Sequence, residues 1–296
     1  MLYTNFVHLH VHSHYSLLDG AAQVKDIVAA AKKFRMPAVC ITDHGNMYAA
    51  IELYHEAEKK GLKPIMGFEA YITTGPRTDR SKKYRTHHLV LLAKNKTGYE
   101  NLLKLASIGF TEGFYYKPRI DYEYLEKHSE GIIALSACLA GEIPRALAQN
   151  DFDAAKKKVY EYKELFDEFY IELQDHGIEL QKQINPLLVK LAKETNTPLV
   201  ATNDVHYINQ SDAKAHDVLL CIGTKANLAE PDRMRFPNDQ FYLKSEKEMR
   251  DIFADIPEAI DNTQEIVDKC NFEFVYGNYH IPKFKILFFC FKKFLK

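Results

Sequence analysis

The sequence lacks the features that mark several large classes of protein. Its five cysteines are scattered, with no Cys-x-x-Cys pair, which argues against a disulfide framework and a four-cysteine zinc knuckle. No basic stretch followed by an apolar run opens the chain, and no segment approaches the roughly 20 apolar residues that cross a bilayer. Lysine and arginine number 39 against 40 acidic residues, without the basic excess of a protein that wraps duplex DNA. We therefore expect a cytoplasmic protein with no membrane partner.

Three common catalytic motifs are also absent. The chain contains no Gly-x-x-x-x-Gly-Lys phosphate loop, no Gly-x-Ser-x-Gly nucleophile elbow and no His-Glu-x-x-His helix. These absences argue against the nucleotide-binding, hydrolase and zinc-protease sites that such motifs build. At 296 residues with 46% hydrophobic content, the chain is long enough for one barrel-sized domain or two smaller ones.

What the chain has instead is six short clusters of residues that can bind metal, each beside an apolar, strand-like segment. The first is the run His-Leu-His-Val-His-Ser-His at 8–14, followed by Asp19, and in an extended segment alternate histidines would share one face. The other five clusters lie at 43–46, Glu69, 86–88, 136–138 and 202–206. One such residue after a strand is more often a turn or capping residue than a ligand. Six clusters at equivalent places favour a shared hydrolytic metal site.

The apolar segments alternate with helical patterns, which predicts an α/β fold. Strands are predicted near 6–12, 38–42, 65–72, 88–93, 131–136, 169–174 and 198–202. Between them, apolar residues recur at i, i+3, i+4 and i+7, as on helices that cover a sheet. A closed or nearly closed barrel would bring residues from many strands together at one end. His88 begins its strand instead of ending it, so we expect that strand to run against its neighbours or the barrel to be distorted.

The ligand types indicate which metals to expect. Imidazole and carboxylate groups, with one candidate thiolate, suit Zn²⁺, Mn²⁺ or iron better than Ca²⁺. The candidates exceed one tetrahedral shell, so we expect two or three divalent ions that share bridging groups such as Glu69 and Asp19. Ions about 3.5–4 Å apart are suited to phosphoester hydrolysis.

Two other polar groups leave their roles open. A basic stretch at 77–85 is consistent with a solvated loop or with contact to phosphate. Glu172, Asp175 and His176 follow a predicted strand, where capping and substrate contact are equally consistent with the pattern.

These clusters resemble the polymerase and histidinol phosphatase (PHP) domain. The likeness is carried by His10-Val11-His12-Ser13, Asp19-Gly20, Thr42-Asp43-His44-Gly45-Asn46, 67–69, His88, Cys138 and Asn203-Asp204-Val205-His206. Within that superfamily, residues 5–285 resemble the N-terminal segment of bacterial DNA polymerase III alpha subunits, which take part in DNA replication. The stretches 11–20, 93–99, 201–207 and 253–259 carry this closer likeness.

The resemblance implies a distorted seven-stranded β/α barrel and a metal-dependent phosphoesterase, a hydrolase of the 3′–5′ exonuclease type that acts on DNA 3′ ends. The ligands that it implies are His10, His12, Asp19, His44, Glu69, His88, Cys138, Asp204 and His206. Of these, His12, Asp19, Glu69 and Asp204 are the predicted catalytic residues, and His8 and His87 are expected to support the ligands. The implied partners are the remainder of the polymerase alpha subunit and replisome subunits such as a proofreading exonuclease.

Two alternative functions stay open. The same metals would suit a small-molecule phosphatase of the histidinol phosphatase type, while a non-catalytic scaffold would stabilise the polymerase and dock a proofreading subunit. Residues 1–285 are expected to form the PHP domain with an irregular C-terminal extension, and 286–296 an atypical tail of the kind that truncation or a frameshift produces. The palm, thumb and fingers of the polymerase are expected to be absent, so nucleotidyltransferase activity would belong to the full-length family protein.

Overall fold

The computed structural model describes residues 3–279 and 281–282, in which strands alternate with helices. The strands in these ranges are β1 (Ala38–Ile41), β2 (Lys63–Thr73), β3 (Thr86–Ala93), β4 (Phe114–Tyr115), β5 (Lys117–Ile120), β6 (Ile132–Leu135), β7 (Glu168–Leu173) and β8 (Leu199–Ala201). The α-helices are α1 (Val24–Lys33), α2 (Ala50–Lys60), α3 (Lys96–Thr111), α4 (Tyr122–Lys127), α5 (Glu142–Ala148), α6 (Phe152–Leu165), α7 (Glu179–Thr195), α8 (Ala213–Thr224), α9 (Glu246–Ile252) and α10 (Pro257–Lys269), with a 3-10 helix at Gln210–Asp212. The predicted α/β class is confirmed.

The sheet is mixed, and β3 runs against both of its neighbours. The strand order is β4-β5-β2-β3-β6-β7-β8, with β1 paired to β2 outside this path. Strand β3 is antiparallel to both β2 and β6, whereas β6, β7 and β8 are parallel to one another. His88, near the start of β3, therefore pairs with Tyr71 near the end of β2. This orientation confirms the expectation drawn from the position of His88, and the curved sheet with its covering helices is a distorted β/α barrel.

The N-terminal segment closes the barrel without forming a regular strand. The His12 N–H donates to the Val205 carbonyl at 2.7 Å, and the Thr42 N–H donates to the Val11 carbonyl at 2.7 Å. The N-terminal segment therefore lies between the two stretches of chain that directly follow β8 and β1. The predicted strand at 6–12 is wrong, because its pairing is reduced to one isolated bridge at Val11. The Val11 N–H donates to the Thr42 hydroxyl at 2.9 Å, which replaces a backbone partner.

The hairpin of β4 and β5 was not predicted from the sequence. Its strands are two and four residues long, too short to show an alternating apolar pattern. Its turn residue, Tyr116, has φ of 61°, in the left-handed region that non-glycine residues seldom adopt. The hairpin carries Lys117 and Pro118 over the loop after β1, where a Cβ atom on Gly45 would lie 2.5 Å from Pro118.

Helix α10 covers the outer edge of β8. The Asn262 side-chain amide donates to the Leu199 carbonyl at 2.8 Å, and the buried Thr263 hydroxyl accepts from the Val7 N–H at 3.1 Å. The helix thereby joins the last strand to the N-terminal segment. Buried apolar residues from both ends of the described chain belong to one continuous core.

No helix in the described ranges is long and apolar enough to cross a membrane. The predicted tail at 286–296 lies outside the described residues.

Replacement of Thr263 tests how α10 holds the N-terminal segment. Thr263→Val removes the acceptor of the buried Val7 N–H, so we expect the free energy of unfolding to fall by about 1–3 kcal/mol in urea denaturation. Thr263→Ser keeps the hydroxyl and should lose less. A Thr263→Val protein as stable as Thr263→Ser would contradict this role of the hydrogen bond.

Candidate metal centre

The structure brings all nine predicted ligands into one connected cluster inside the barrel. Glu69 lies within β2, His88 lies near the start of β3, and the remaining ligands follow β1, β6 and β8 or belong to the N-terminal segment. The antiparallel course of β3 is needed here, because a strand that runs against its neighbours begins where they end. The convergence that the sequence clusters predict is therefore present, while the assignment of these residues as ligands stays a prediction.

Glu69 lies at the middle of the cluster and is 1% exposed. Its carboxylate oxygens lie 2.7 Å from His44 Nδ1, 2.8 Å from His88 Nδ1 and 3.3 Å from His10 Nε2. Burial opposes ionisation of Glu69, but the imidazoles of His88 and His10 outweigh it and hold its pKa well below the ordinary value. Glu69 is therefore an anionic group that reaches several other ligands at once.

Asp204 and His206 form a second side of the cluster. The Asp204 Oδ1 atom lies 3.1 Å from His12 Nε2 and 3.3 Å from His10 Nε2. Its φ of 44° lies in the left-handed region, which costs energy for a residue with a Cβ and is commonest at functional sites. The His206 ring donates through Nδ1 to the Asp204 carbonyl at 2.7 Å. Burial raises the pKa of Asp204, but the lowering effect of His10, His206 and His12 is larger, so that Asp204 stays ionised.

Asp19 and Cys138 are the two remaining predicted ligands, and they contact different histidines. Asp19 Oδ2 lies 3.2 Å from His44 Nε2, and Cys138 Sγ lies 3.7 Å from His88 Nδ1. Burial lowers the pKa of His44, but Asp19 and Glu69 outweigh it and raise the pKa to about 10. Burial raises the pKa of the Cys138 thiol, which is lowered when a thiol coordinates a metal.

Hydrogen bonds outside the cluster fix the first two histidine rings. His10 Nδ1 lies 2.7 Å from Glu172 Oε1, and His12 Nδ1 lies 3.0 Å from Ser16 Oγ, whose own hydroxyl donates to Asp43 at 2.8 Å. These contacts favour the tautomers in which Nδ1 carries the proton and Nε2 offers its lone pair to the cluster. Burial, together with nearby histidines, lowers the pKa of His12 to about 3, so its ring is neutral, as ligation requires.

The contacts of Glu172 and Ser16 with the histidine rings were not predicted from the sequence. The sequence places Glu172 in a group of three polar residues whose roles stay open. Glu172 differs from the other two because it lies within β7, where its carboxylate is buried. Asp175 accepts from the Gly177 N–H in a turn, and the His176 ring stacks on Phe241 with centroids 4.0 Å apart. Ser16 is a common residue type, and nothing in the sequence singled it out.

Unpartnered atoms at the centre of the cluster test whether its residues fit metal ions. Buried side-chain atoms there without a hydrogen-bond partner are His10 Nε2, His12 Nε2, Asp19 Oδ1, His44 Nδ1, Glu69 Oε2 and Asp204 Oδ1. Several approach one another closely without hydrogen-bond geometry, as groups do when they face a common point. Leaving buried polar atoms without partners is costly, and divalent cations would satisfy them.

The candidate ligand atoms also divide into sets of suitable size. Three overlapping groups have their ligand atoms within 4.8 Å of one another: His10, His12 and Asp204; His12, His44 and His206; and His44, Glu69 and His88. His12 and His44 each belong to two groups. Mixed nitrogen and oxygen donors, with a thiol nearby, suit zinc, manganese or iron. The residues present therefore fit divalent metal ions.

Other residues noted in the sequence lie outside the cluster. His8 Nε2 lies 2.8 Å from the Lys244 carbonyl, and His87 occupies the position before His88 on β3, where side chains alternate faces. In the basic stretch, Arg77 binds Asp121 and Glu112. His8 and Arg77 thus have structural partners of their own.

The PHP domain family matches residues 8–176, which is more than half of the chain and includes seven of the nine predicted ligands. The chain belongs to the PHP domain family. Its curated relatives identify a narrower group within that family: the chain is 47% identical over 291 residues to the DNA polymerase III subunit alpha of Borreliella burgdorferi, covering 96% of this chain and 25% of the relative. The corresponding protein of Thermus aquaticus is 45% identical, with 95% and 24% covered. The chain spans about a quarter of the length of these relatives.

Two solved structures show a weaker likeness. A Bifidobacterium adolescentis structure described as a metal-dependent phosphoesterase has a TM-score of 0.44 at 12% identity, covering 82% of this chain and 95% of that chain. An amidohydrolase from Chromobacterium violaceum has a TM-score of 0.46 at 13% identity, covering 68% and 87%. No functional argument is drawn from values this low.

Loss of a ligand should remove metal and stability together. For His12→Ala or Asp204→Ala we expect less bound metal by elemental analysis and a lower Tm, because ions held only by the folded state contribute their binding free energy to folding. His87→Ala, one residue from a predicted ligand, should retain its metal. Equal metal loss in all three variants would contradict the assignment of His88 over His87.

The support that Glu172 gives to His10 can be tested separately. Glu172→Gln keeps the shape of the side chain but removes its charge, and we expect metal affinity to fall about 10–100-fold in a competition assay with a chelating dye. Glu179→Gln, at a side chain that is 76% exposed on α7, is the matched control. Unchanged affinity in Glu172→Gln would show that its contact with His10 only packs the core.

Proposed function

We propose that this chain is the N-terminal PHP domain of a bacterial replicative DNA polymerase III alpha subunit, and that its metal centre hydrolyses phosphodiester bonds as a 3′–5′ exonuclease. The observation that carries the proposal is the convergence of nine ligand-competent side chains in one buried cluster. A domain that had become a pure scaffold would have no need to keep all nine. The names of its relatives support the polymerase context.

The nine predicted ligands would hold two or three divalent ions, with zinc or manganese the leading choices and iron a third. Bound ions of this kind lower the pKa of a water molecule and neutralise charge on phosphate oxygens. Glu69 and Asp19 are the groups best suited to bridge between ions. Glu69 contacts several imidazoles, while Asp19 has one oxygen near His44 and the other without a partner.

Exposure indicates the side from which a phosphate would approach. The side chains of His10 and His12 are 0% exposed and that of Glu69 1%, so they form the floor of the cluster. His44 and His88 are 16% and 20% exposed, so they form part of its accessible rim. A phosphodiester would therefore meet the cluster on the rim side.

The chain's own residues would hold the reacting groups in place. His10 and His12 are held in orientation by Glu172 and Ser16, and Asp204 presents a buried carboxylate oxygen beside them. Such preorganisation limits reorganisation during the reaction. We assign His12, Asp19, Glu69 and Asp204 the catalytic roles, since these groups would hold the ions that meet the reacting phosphate.

The proposed partners follow from the polymerase context. They are DNA 3′ ends, the remainder of the alpha subunit and replisome subunits such as a proofreading exonuclease, in the bacterial cytoplasm. With 39 basic and 40 acidic residues, the isolated chain should bind DNA weakly and with strong salt dependence. Its assays therefore belong at low ionic strength.

Exonuclease activity is tested with a 5′-labelled single-stranded oligonucleotide and added Mn²⁺ or Zn²⁺. We expect slow shortening from the 3′ end on a denaturing gel, with no nucleotide incorporation by this chain alone. Asp204→Asn should reduce the rate at least about 100-fold, the upper end of what loss of a supporting residue costs at a metal site. His87→Ala should retain the activity.

Histidinol phosphate and an aryl phosphate serve as competing substrates. Efficient cleavage of either by the metal-loaded protein, with the oligonucleotide intact, would favour the small-molecule phosphatase. Metal-loaded protein that cleaves none of the three would favour the scaffold that stabilises the polymerase.

A further inference from the structure

A row of exposed aromatic rings starts beside the metal centre, and the centre does not use it. Tyr48, Phe110, Phe114 and Tyr116 are 57%, 38%, 48% and 71% exposed. The ring centroids of Tyr48 and Phe110 are 6.0 Å apart, and those of Phe110 and Phe114 are 6.1 Å apart. Tyr116 follows Phe114 by two residues at the turn of the β4–β5 hairpin, and we call these four residues the aromatic path. Single exposed apolar residues are ordinary, whereas a contiguous group marks an interaction surface.

Both ends of the aromatic path are tied to the same ligand loop. The Asn46 side-chain amide donates to the His44 carbonyl at 3.0 Å, and its oxygen accepts from the Tyr48 N–H at 3.0 Å. At the other end, Lys117 Nζ donates to the Tyr71 hydroxyl at 3.1 Å, and the Tyr71 ring stacks beside His44 with centroids 5.8 Å apart. The path is therefore continuous with the accessible rim of the metal centre.

Cations accompany the aromatic path and are available to a ligand. Lys83 Nζ lies 5.4 Å from the centre of the Tyr116 ring, and Lys117 follows Tyr116 in the chain. Among the described residues, no carboxylate lies within 4.0 Å of either ammonium group. Glu112, which precedes the β4–β5 hairpin in the chain, is bound by Arg77 at 2.7 Å. Both lysines can therefore meet a negatively charged partner without first breaking an ion pair.

The loop that carries Lys83 is held in place from within. The Arg119 guanidinium, 1% exposed, donates to the carbonyls of Arg77 and Asp79 at 2.7 and 3.0 Å, and to that of Gly113 at 3.0 Å. One buried side chain thus fixes the basic loop against the β4–β5 hairpin. A surface fixed in advance loses less conformational entropy when it binds.

We propose that the aromatic path, with Lys83 and Lys117, binds a single-stranded nucleic acid and leads its 3′ end to the metal centre. Stacked bases use the faces of exposed rings while lysines meet the phosphates, and this combination binds single strands with little sequence preference. A duplex hides its base faces and would gain only the charge contacts. The direction of the strand rests on the exonuclease function proposed above, whereas the binding does not.

Binding is measured by fluorescence anisotropy of a labelled oligo-dT at low ionic strength, with phosphorothioate linkages at its 3′ end so that hydrolysis does not interfere. Phe114→Ala and Tyr48→Ala should each weaken binding about 5- to 150-fold, the range for loss of one stacked base. Lys117→Ala should reduce the slope of log affinity against log salt by about 0.7. Tyr160→Ala on α6, a tyrosine that is 45% exposed, and Lys193→Ala on α7 are the matched controls.

Hydrolysis of bis(p-nitrophenyl) phosphate, which is too small to reach the aromatic path, separates this proposal from the exonuclease function. Path variants that bind oligo-dT like the unaltered protein, or that lose no more affinity than Tyr160→Ala, overturn the proposal even if the small diester is cleaved. Equal affinity of the unaltered protein for duplex and single strand also overturns it. Selective loss of single-strand binding supports it, even if neither substrate is cleaved.

Discussion

The structure depends on one electrostatic constraint: Glu69 is ionised although it is almost completely buried. A buried charge is costly unless it is paired, and here the pairing groups are imidazoles delivered by different parts of the chain. Strand β3 must run antiparallel to bring His88 to this carboxylate, and the loop after β1 must turn inward to bring His44. The need to pair the buried Glu69 carboxylate therefore accounts for both the antiparallel direction of β3 and the clustering of histidines at the site.

The N-terminal segment serves the fold and the site at the same time. Its backbone joins the segments after β1 and β8 through Val11 and His12, while its histidine side chains enter the cluster. Because barrel closure and the predicted ligation use the same few residues, a shift in the backbone would move the predicted ligands with it. Glu172 and Ser16 then hold the imidazole rings in one orientation, which is the precision that a hydrolytic metal site needs.

The sequence was most informative where polar residues interrupted or began an apolar, strand-like segment. Polar clusters after apolar segments predicted the convergence, since parallel strands end at a common face, and the early position of His88 predicted either a reversed strand or a distorted barrel. The segment 6–12 was misjudged because the Thr42 side chain takes the place of a backbone partner, which no pattern reveals. The β4–β5 hairpin is too short for periodicity to show it, and Ser16 acts through a contact that only the folded chain creates.

The contacts of His12 with Asp204 and Val205 also have a consequence for biosynthesis. The two sides of the cluster are far apart in the chain, so a nascent polypeptide exposes the early histidines long before their carboxylate partner exists. At about 5–20 residues per second, the interval is about 10–40 s. During that time the histidines lack the groups that complete the cluster. Selection of the ions that we propose for this cluster would therefore come after translation has passed the last strand, when the complete cavity imposes its geometry.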